Sequence, residues 1–448
     1  MKGKATRMDV EMTIERYADQ GRCVGHVDGR VVFVRFALPG EKVRVTLDEP
    51  HDRADRFWTG EVTEVLDASA DRVMPVWPLA GPVAQGGGVG GADLIHVSLP
   101  GQLAWKKAVI DDQMRRLGHT ETDVQVVRAP GDIANGGLHW RTRIELIADE
   151  EGMPSMRRRG SHVRVPIDDM PLASRTLLDV AAQTGLWKGG FEPGSQIRVV
   201  APEPRGDSAT PFDAKATADA HRTDADAPDF ALMVDGRQRD GRRLLAEDVD
   251  VTLPGADAAT RFSYCVDCGG FWQVHRLAPN LLVQHVLDMA ATVLRGVQSA
   301  CIWDLFSGSG LFTLPLALTA APRVRMLSVE GAPNAVHNAQ RNLDRYHVRG
   351  VDALAGDVAR TLHTVPSRLA HPDLVVLDPP RAGARAQACR RIIAAAPRGI
   401  IYVACDPTSL ARDTATLLAG GYRLADIRAY DIYPMTHHVE TVALFVKD

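Results

Sequence analysis

From about residue 280 onward the chain alternates short apolar runs with longer amphipathic segments, and this alternation constrains the fold more than any other feature. Short apolar runs separated by helical segments are typical of parallel strands joined by crossover helices. A helix at 280–287 precedes runs that predict the strands Cys301–Phe306, Val324–Val329, Leu374–Leu377, Gly399–Ala404 and Thr441–Val446. The pattern therefore predicts an α/β fold with a doubly wound, Rossmann-like sheet.

The first part of the chain has a different pattern. Between residues 8 and 66, five short runs alternate apolar and polar residues, and Asp28-Gly29 and Pro39-Gly40 mark turns between them. Five short strands in a segment of this length predict a small OB-like β-barrel. Such a barrel either binds nucleic acid or is purely structural, and its nearly balanced charges leave both alternatives open.

These patterns divide the chain into three predicted domains. We assign residues 1–66 to the barrel, 67–275 to a central α+β domain and 276–448 to the Rossmann-like domain. Residues 203–229, inside the central domain, contain many Ala, Asp and Pro residues and few large apolar ones. This composition predicts a flexible acidic loop.

Composition excludes several classes of protein. No run approaches ~18 consecutive apolar residues, the length that a membrane span needs, and the basic start of the chain lacks the apolar core of a secretory signal. The six cysteines are too few and too dispersed for a disulfide framework. We therefore expect a cytoplasmic protein with no membrane partner. Because the net charge is −4, a nucleic-acid partner would need a local basic surface.

A turn with two glycines follows the first strand of the Rossmann-like domain. Gly308 and Gly310 let the backbone approach a ligand at the carboxyl edge of the sheet, where such folds bind nucleotides. A dinucleotide fingerprint would have a third glycine where the chain has Thr313, so NAD is disfavoured. Glu330 ends the second strand, where it can accept hydrogen bonds from a ribose diol, and Asp357 follows the third, where it can meet an adenine amino group. These residues together predict a site for S-adenosyl-L-methionine; the alternative is a nucleotide-free scaffold.

Three further motifs follow later strands of the same sheet and indicate the reaction. They are Asp378-Pro379-Pro380-Arg381, Ala404-Cys405-Asp406-Pro407 and His437-His438-Val439-Glu440. Carbon 5 of uracil becomes nucleophilic only after a group adds to carbon 6, and a thiolate suits this reversible addition. Cys405 precedes a predicted helix at 409–417, whose amino end would favour the thiolate, and a nearby carboxylate could remove the proton from carbon 5. The alternative for Cys405 is inert packing at the end of a strand.

In these motifs the chain resembles the RNA 5-methyluridine methyltransferases. The motifs stand in that family's order: Phe271-Trp272-Gln273-Val274-His275, Asp304–Leu314, Val329-Glu330-Gly331, Asp378–Gly383, Tyr402–Pro407, Leu410–Asp413 and His438-Val439-Glu440. The resemblance implies an amino-terminal TRAM barrel, a central domain and a class I methyltransferase domain. It also implies Cys405 as the nucleophile, Glu440 as the base that removes the proton, and Asp378 near the uracil and the methyl donor.

The resemblance also implies which residues contact the cofactor. To Gly308 and Gly310 of the glycine turn it adds Gln273, Phe306, Glu330, Asp357 and Asp378. Two positions depart from the family. His275 replaces the usual Asn of the F-x-Q-x-N motif, and Leu311 stands where an Asn often contacts the cofactor.

A third departure concerns metal binding. Many relatives of the ribosomal-RNA type hold an iron–sulfur cluster on four cysteines of the central region. This chain has no cysteine between Cys23 and Cys265, so no cluster is expected, and small and apolar residues near 74–82 and Met170 are expected to fill its space. Cys265 and Cys268 have metal-ligand spacing but no second pair, which predicts a reduced structural pair and no metal.

The leading hypothesis is an enzyme that methylates carbon 5 of a specific uridine, most readily in 23S rRNA, with transfer RNA as the alternative. The RNA would be held by the barrel and by a basic patch of the central domain, formed by Arg141, Arg143, Arg157, Arg158 and Arg159. A methyltransferase acting on an amino group or a small molecule is a second hypothesis, since it needs the same cofactor but no thiolate. A non-catalytic RNA-binding protein is a third. We expect a monomer.

Overall fold

The computed structural model describes residues 8–48, 56–204, 206, 208–221 and 229–447. It begins with a six-stranded sheet that closes into a barrel: β1 (Asp9–Thr13), β2 (Arg16–Ala18), β3 (Arg22–Val27), β4 (Arg30–Arg35), β5 (Lys42–Leu47) and β6 (Phe57–Asp67). The strand order is β1-β5-β6-β4-β3-β2, and all neighbours are antiparallel except β4 and β6. Alternate residues such as Val32, Val34, Val43 and Val45 point inward and are completely buried. The predicted barrel is present, with one short strand, β2, that the sequence pattern did not indicate.

The middle of the chain contains two smaller sheets. Its elements are α1 (Leu99–Arg116), β7 (Gln125–Arg128), β8 (Arg143–Ala148), β9 (Pro154–Arg157), β10 (Arg164–Pro166), α2 (Arg175–Gln183), β11 (Gln196–Val200), β12 (Thr210–Pro211), α3 (Ala214–His221), β13 (Ala231–Val234), β14 (Arg237–Gly241), β15 (Leu244–Thr252) and β16 (Ala259–Asp267). One sheet has the order β10-β9-β8-β11-β13-β14, and the other has the order β12-β16-β15.

The predicted acidic loop at 203–229 needs correction. It contains strand β12 and helix α3, whose buried residues Ala216 and Ala220 pack inward, while Asp213 accepts hydrogen bonds from the first helical backbone N–H groups. An alanine-rich segment can therefore form a helix when one of its faces is covered. Residues 222–228 lie outside the described part of the chain.

The last part of the chain forms a doubly wound sheet, as predicted. Its elements are α4 (Ala278–Val293), β17 (Ser299–Leu305), α5 (Thr313–Thr319), β18 (Arg323–Glu330), α6 (Pro333–Arg345), β19 (Val351–Ala355), α7 (Val358–Thr361), β20 (Leu374–Leu377), α8 (Arg385–Ala395), β21 (Gly399–Ala404), α9 (Pro407–Ala419), β22 (Tyr422–Asp431) and β23 (Glu440–Lys447). The order is β19-β18-β17-β20-β21-β23-β22-β7, in which β23 is antiparallel to both of its neighbours. None of the described helices is long and apolar enough to cross a membrane.

The central and the last segments share a sheet and a core. Strand β7 pairs with β22 at the edge of the eight-stranded sheet, and helix α1 packs on α9. Hairpin β15–β16 contributes Phe262 and Tyr264 to the same buried cluster as Leu282 of α4 and Ile302 of β17. The division of the chain at residue 275 stays a prediction.

A buried group of charges joins α1, β7 and β22. Asp431 is completely buried at the end of β22, where it forms ion pairs with Lys106 of α1 and with Arg128 of β7, whose Nε donates to Asp431 at 2.9 Å. Lys106 also donates to the carbonyl oxygen of Tyr433 at 3.0 Å. Opposite charges hold the pKa of Asp431 below its usual value in spite of its burial. The group therefore fixes where the chain leaves β22.

Replacing Asp431 with asparagine is expected to lower the free energy of unfolding by about 3–5 kcal/mol, because two buried cations lose their counterion. The matched control is Asp123→Asn, since Asp123 pairs with Lys107 on the surface and its side chain is 96% exposed. The control is expected to leave the unfolding midpoint unchanged. Urea denaturation of both variants measures the difference, and equal midpoints would contradict a structural role for the buried group.

Candidate active site

A large cavity of about 1530 Å³ lies at the edge of the eight-stranded sheet where its parallel strands end. Its other wall is formed by the β8–β9–β11–β13 face and by residues 267–273, which begin at the last residue of β16. The cavity is lined by eight of the residues that the sequence singled out as catalytic or cofactor-binding: Gln273, Phe306, Gly308, Glu330, Asp357, Asp378, Cys405 and Glu440. Residues from distant parts of the sequence therefore meet at this edge.

Strand register brings the predicted nucleophile and base together. Strand β23 runs antiparallel to β21, and Ala404 pairs with Thr441. Cys405 comes directly after Ala404, and Glu440 comes directly before Thr441. The two residues therefore lie opposite each other at the end of the ladder. Strand β20 flanks β21 on the other side, and the residue after its last position is Asp378. The three side chains consequently line one wall of the cavity.

The turn after β17 is tight, and two of its residues have positive φ angles. Phe306 has a φ of 60°, in the left-handed region that non-glycine residues rarely adopt, and Gly308 has a φ of 53°. The N–H of Gly308 donates to Glu330 Oε2 at 3.0 Å, and the N–H of Ala332 donates to Glu330 Oε1 at 2.7 Å. The Glu330 carboxylate is thus oriented by two backbone groups at the end of β18, on the border of the cavity.

Gly310 does not line the cavity with its neighbours, which corrects one predicted contact. A Cβ atom at this position would lie 3.2 Å from the Cβ of Ala339 in α6, and the backbone has a φ of 87°. The glycine is therefore required by close packing and backbone conformation. It is not among the residues that line the cavity.

Two predicted cofactor residues differ in how they are held. Asp357 caps the first turn of α7, accepting from the N–H of Arg360 at 2.9 Å. Gln273 is buried, and its Oε1 has no hydrogen-bond partner among the described residues. A buried, unpaired acceptor is costly unless another molecule satisfies it. Gln273 therefore fits a residue that awaits a ligand.

Buried carboxyl groups concentrate around the cavity. Burial, with the neighbouring Asp304 and Glu330, raises the pKa of Asp378 to about 7. Asp304 lies behind it, and burial raises its pKa to about 7 as well. Burial and Asp378 raise the pKa of Glu440 well above its usual value. Clusters of this kind are common at functional sites because they tune proton affinity.

The electrostatics of Cys405 contradict the expectation that a helix terminus favours its thiolate. Cys405 lies just before Asp406, whose side chain caps α9 by accepting from the N–H of Ser409 at 2.7 Å. Burial, followed by the charges of Glu440 and Asp378, raises the pKa of the Cys405 thiol to about 12. Desolvation and the two carboxyl groups both disfavour the thiolate. The side chains around Cys405 therefore favour its neutral thiol over the thiolate.

The histidines near the site have structural partners. His275 is buried between Asp132, 2.9 Å from its Nε2, and the ring of Trp140, on which it is stacked. His437 is 2.7 Å from Asp93 through its Nδ1. Burial and nearby positive groups lower the pKa of His438 to about 3, so its ring is neutral at physiological pH.

The predicted basic patch is not one surface. Arg143 is buried, pairs with Glu247 and donates to the Gln273 carbonyl oxygen at 3.3 Å, so it positions the Gln273 segment instead of facing solvent. Arg141 donates to the carbonyl oxygen of Arg143 at 3.3 Å and lies 5.2 Å from the Trp140 ring. Both were predicted to contact RNA. The burial of Arg143 argues against that role, and Arg141 is half-buried with its guanidinium held against its own backbone neighbours.

The remaining three arginines also differ. Arg159 donates to the carbonyl oxygens of Ala80, Gly81 and Val89, in the segment that follows the barrel. Arg158 lies against Gly88. Only Arg157 of the five is both exposed and among the residues that line the cavity. The arginines are close in sequence but do not form one patch, because adjacent residues of a strand point to opposite faces of the sheet.

The cysteines offer no metal site in the part of the chain that the structure describes. Cys265 and Cys268 are buried free thiols, and no group of three or more described His, Cys, Asp and Glu side chains could hold a metal ion. Met170 and Trp77 are buried in the core that also contains Ala80 and Val89.

Sequence reasoning missed several residues of the cavity wall, and Tyr433 is one of them. It lies between β22 and β23, seven positions before Glu440, and lines the cavity together with that residue. No local pattern indicates this placement, because it depends on how the connection folds back over the sheet edge.

Comparison with known proteins assigns the fold and site to a family. Residues 212–448 match the family described as tRNA (uracil-5-)-methyltransferase, and residues 6–54 match the TRAM domain. The chain belongs to the tRNA (uracil-5-)-methyltransferase family. It is accordingly an S-adenosylmethionine-dependent RNA (uracil-C5) methyltransferase by class, which confirms the predicted family, fold class, type of enzyme and methyl donor.

Members of this family resemble the chain along its length. An uncharacterized RNA methyltransferase of Bifidobacterium longum is 63% identical over 99% of this chain and 98% of its own. The 23S rRNA (uracil(1939)-C(5))-methyltransferase RlmD of Chromohalobacter salexigens is 33% identical over 100% of this chain and 92% of its own. The crystal structure of Pyrococcus abyssi tRNA (uracil-54, C5)-methyltransferase, in complex with S-adenosyl-L-homocysteine, shares the fold with a TM-score of 0.62 at 22% identity, covering 97% of this chain and 99% of that one.

Proposed function

We propose that this enzyme forms 5-methyluridine at a specific uridine of 23S rRNA, with Cys405 as nucleophile and Glu440 as base. The observation that carries the proposal is the pairing of β21 with β23, which puts Cys405 and Glu440 side by side on the wall of one cavity. A methyltransferase for amino groups or small molecules needs no such thiol. The chemistry of the wall therefore favours carbon methylation.

The polar groups around the cavity fit S-adenosyl-L-methionine, which supplies an electrophilic methyl group when bound. The unpartnered Oε1 of Gln273 and the backbone-oriented carboxylate of Glu330 would hold it, together with Phe306, Gly308, Asp357 and Asp378. Gly310 is omitted from this set because it packs on Ala339.

The residues of the wall have complementary tasks. Cys405 Sγ adds to carbon 6 of the uracil and its proton passes to the neighbouring carboxylate of Asp378, so that Glu440 stays deprotonated for the last step. The resulting enolate carries negative charge to carbon 5, which takes the methyl group. Glu440 then removes the proton from carbon 5, and the electron pair of that C–H bond expels Cys405 and restores the ring. The target base must leave its stack to reach these groups.

The choice of RNA rests on the relatives. RlmD proteins of Chromohalobacter salexigens and Halomonas elongata, at 33% and 30% identity, act on 23S rRNA by name. The transfer-RNA enzyme of Pyrococcus abyssi shares the fold alone, so transfer RNA is the alternative. We propose that the barrel and Arg157 contribute to holding the RNA. A cytoplasmic location and a monomeric state stay predictions.

Trapping on 5-fluorouridine RNA tests this proposal. The enzyme is incubated with the methyl donor and with matched 23S rRNA or transfer RNA transcripts that contain 5-fluorouridine. A covalent adduct is expected on 23S rRNA, because fluorine cannot be removed as a proton and Cys405 stays bound. Peptide mapping identifies the attached cysteine, and sequencing locates the uridine. Adduct formation on transfer RNA alone would reject the ribosomal target, and attachment elsewhere than Cys405 would reject the mechanism.

Binding of the cofactor is expected to depend on pH. Burial holds the pKa of Asp378 at about 7, so the carboxyl is largely protonated at pH 6. A sulfonium beside it favours the anion, and binding then releases a proton. Affinity for S-adenosyl-L-methionine should rise with pH from 6 to 8, by up to about tenfold per pH unit below the pKa. The uncharged thioether S-adenosyl-L-homocysteine should show a much weaker dependence. Calorimetry of both ligands across this range makes the comparison, and identical dependences would contradict the role of Asp378.

A further inference from the structure

We infer that Asp93 is a positioning residue of the reaction: through His437 it fixes the connection between β22 and β23, at the end of which Glu440 reaches the cavity. We define this β22–β23 connection as residues 432–439. Neither Asp93 nor His437 lines the cavity, so the pair would act on the reaction through the connection. The inference rests on the proposed role of Glu440.

The first support is the contact between the two side chains. His437 Nδ1 lies 2.7 Å from Asp93 Oδ2, although 344 positions separate the two residues in the sequence. Burial alone raises the pKa of Asp93, but the hydrogen bond and the charge of His437 bring that pKa below its usual value. Asp93 is therefore ionised and can only accept, so Nδ1 of His437 donates the proton.

The second support is that the segment carrying Asp93 also holds the backbone of the connection. The N–H of Leu94 donates to the carbonyl oxygen of Met435 at 2.9 Å, and the N–H of Met435 donates to Gln102 Oε1 of α1 at 3.0 Å. Met435 has a φ of 66°, a conformation that a residue with a side chain keeps only where its surroundings enforce it. A constrained backbone therefore lies five positions before Glu440.

The third support is that the barrel covers the pair. Gly21, in the turn between β2 and β3, has a φ of 66°, and a Cβ atom there would lie 2.9 Å from the Cβ of Asp93 and 3.5 Å from that of His437. Thr408 of α9 donates to Asp19 Oδ2 of the same turn at 3.0 Å. The turn thus packs closely on the pair and restricts where the His437 ring can go.

The pair is connected to the cavity wall through the next residue. The ring centroids of His437 and His438 are 4.0 Å apart, and His438 lines the cavity. On its other side, His438 Nε2 lies 3.0 Å from Arg381, which also lines the cavity. The connection thus reaches Glu440 between two side-chain contacts. Releasing the Asp93 contact frees the connection to shift within the limits that the Arg381 contact allows.

The expected defect is a misplaced base with an intact nucleophile. Glu440 directly follows the connection, whereas Cys405 follows β21 and does not belong to it. A displacement of about 1 Å can lower the rate of a step by about 10²-fold. Loss of the Asp93 contact should therefore slow the removal of the proton from carbon 5 and leave the addition of sulfur to carbon 6 unchanged.

The test compares Asp93→Ala and Asp93→Asn with the wild type in two assays. On uridine RNA, turnover of Asp93→Ala should fall about 10- to 100-fold, and methylated covalent adduct should accumulate because elimination waits for the base. Asp93→Asn keeps an oxygen that can accept from His437, so its turnover should stay within about threefold of wild type. On 5-fluorouridine RNA, adduct formation by both variants should stay within about twofold of wild type, since trapping does not use Glu440.

A double-mutant cycle with His437→Ala shows whether the two residues act together. That variant breaks the same contact from the other side, so Asp93→Ala combined with His437→Ala should lose no more turnover than Asp93→Ala alone. The matched control is His221→Ala, which breaks another Asp–His pair, with Asp248 at 3.4 Å, outside the cavity. The control should leave both assays unchanged.

Several results would overturn the inference. They are unaltered turnover in Asp93→Ala, an Asp93→Asn variant as impaired as Asp93→Ala, and additive losses in the double variant. Equal losses in the two assays would also overturn it, because a merely structural defect would impair adduct formation too. If instead wild type forms no adduct, or Glu440→Gln turns over normally, the proposed function fails rather than this inference.

Discussion

Replacing Cys405 with alanine is expected to abolish 5-methyluridine formation, with a loss of at least about 10⁴-fold in turnover. Without sulfur, nothing adds to carbon 6, so carbon 5 never becomes nucleophilic. No adduct should form with 5-fluorouridine RNA. Transfer of a radiolabelled methyl group to RNA measures the first effect, and denaturing gel electrophoresis measures the second.

Two measurements keep this first result interpretable. Cys389→Ala removes another buried thiol, in helix α8 and outside the cavity, and should retain turnover. The Cys405→Ala variant should bind S-adenosyl-L-homocysteine as the wild type does. Near-normal turnover by Cys405→Ala would reject carbon methylation and return the enzyme to the class that acts on amino groups.

Replacing Glu440 with glutamine should lower turnover by about 10²- to 10⁴-fold, the usual contribution of a positioned general base. The defect should appear after methyl transfer, so this variant should accumulate methylated RNA still bonded to Cys405. Gel mobility and mass spectrometry of the adduct on uridine RNA measure it.

The variant Glu440→Asp provides the matched comparison, because it keeps a carboxylate with a shorter reach. It should retain more turnover than Glu440→Gln and accumulate less adduct. Loss of turnover without any adduct in Glu440→Gln would mean that Glu440 acts before the methyl group is transferred, and the assignment as base would be wrong.

Much of the last segment's fold could be predicted because its strands are buried on both faces. Strands β17, β18, β20, β21 and β23 lie within two residues of the predicted runs, since continuous apolar sequence is needed there. Strand β22 was missed, and β19 was implied only by the position assigned to Asp357, without bounds. Sequences such as VDALA and YRLADIRAYD contain charged residues that a strand near an edge of the sheet tolerates but a local pattern does not reveal.

The sequence predicted which residues meet at the site, but it did not predict their pKa values or their packing partners. Cys405, Glu440 and Asp378 follow strands that end at one edge, so the sequence indicated that they meet. The thiol pKa was misjudged because burial and two carboxyl neighbours depend on packing. Arg143 and Gly310 were misassigned for the same reason: a buried Glu247 and a close Ala339 determine their roles.

The pairing of β7 with β22 also bears on how the chain is synthesised. Arg128 and its partner Asp431 are 303 residues apart. At ribosomal rates of about 5–20 residues per second, β7 waits roughly 15–60 s for its neighbouring strand to be translated. Throughout that interval an unpaired strand and two cations that later become buried stay exposed on the nascent polypeptide. A chaperone would therefore protect this protein most between the translation of β7 and the translation of β22.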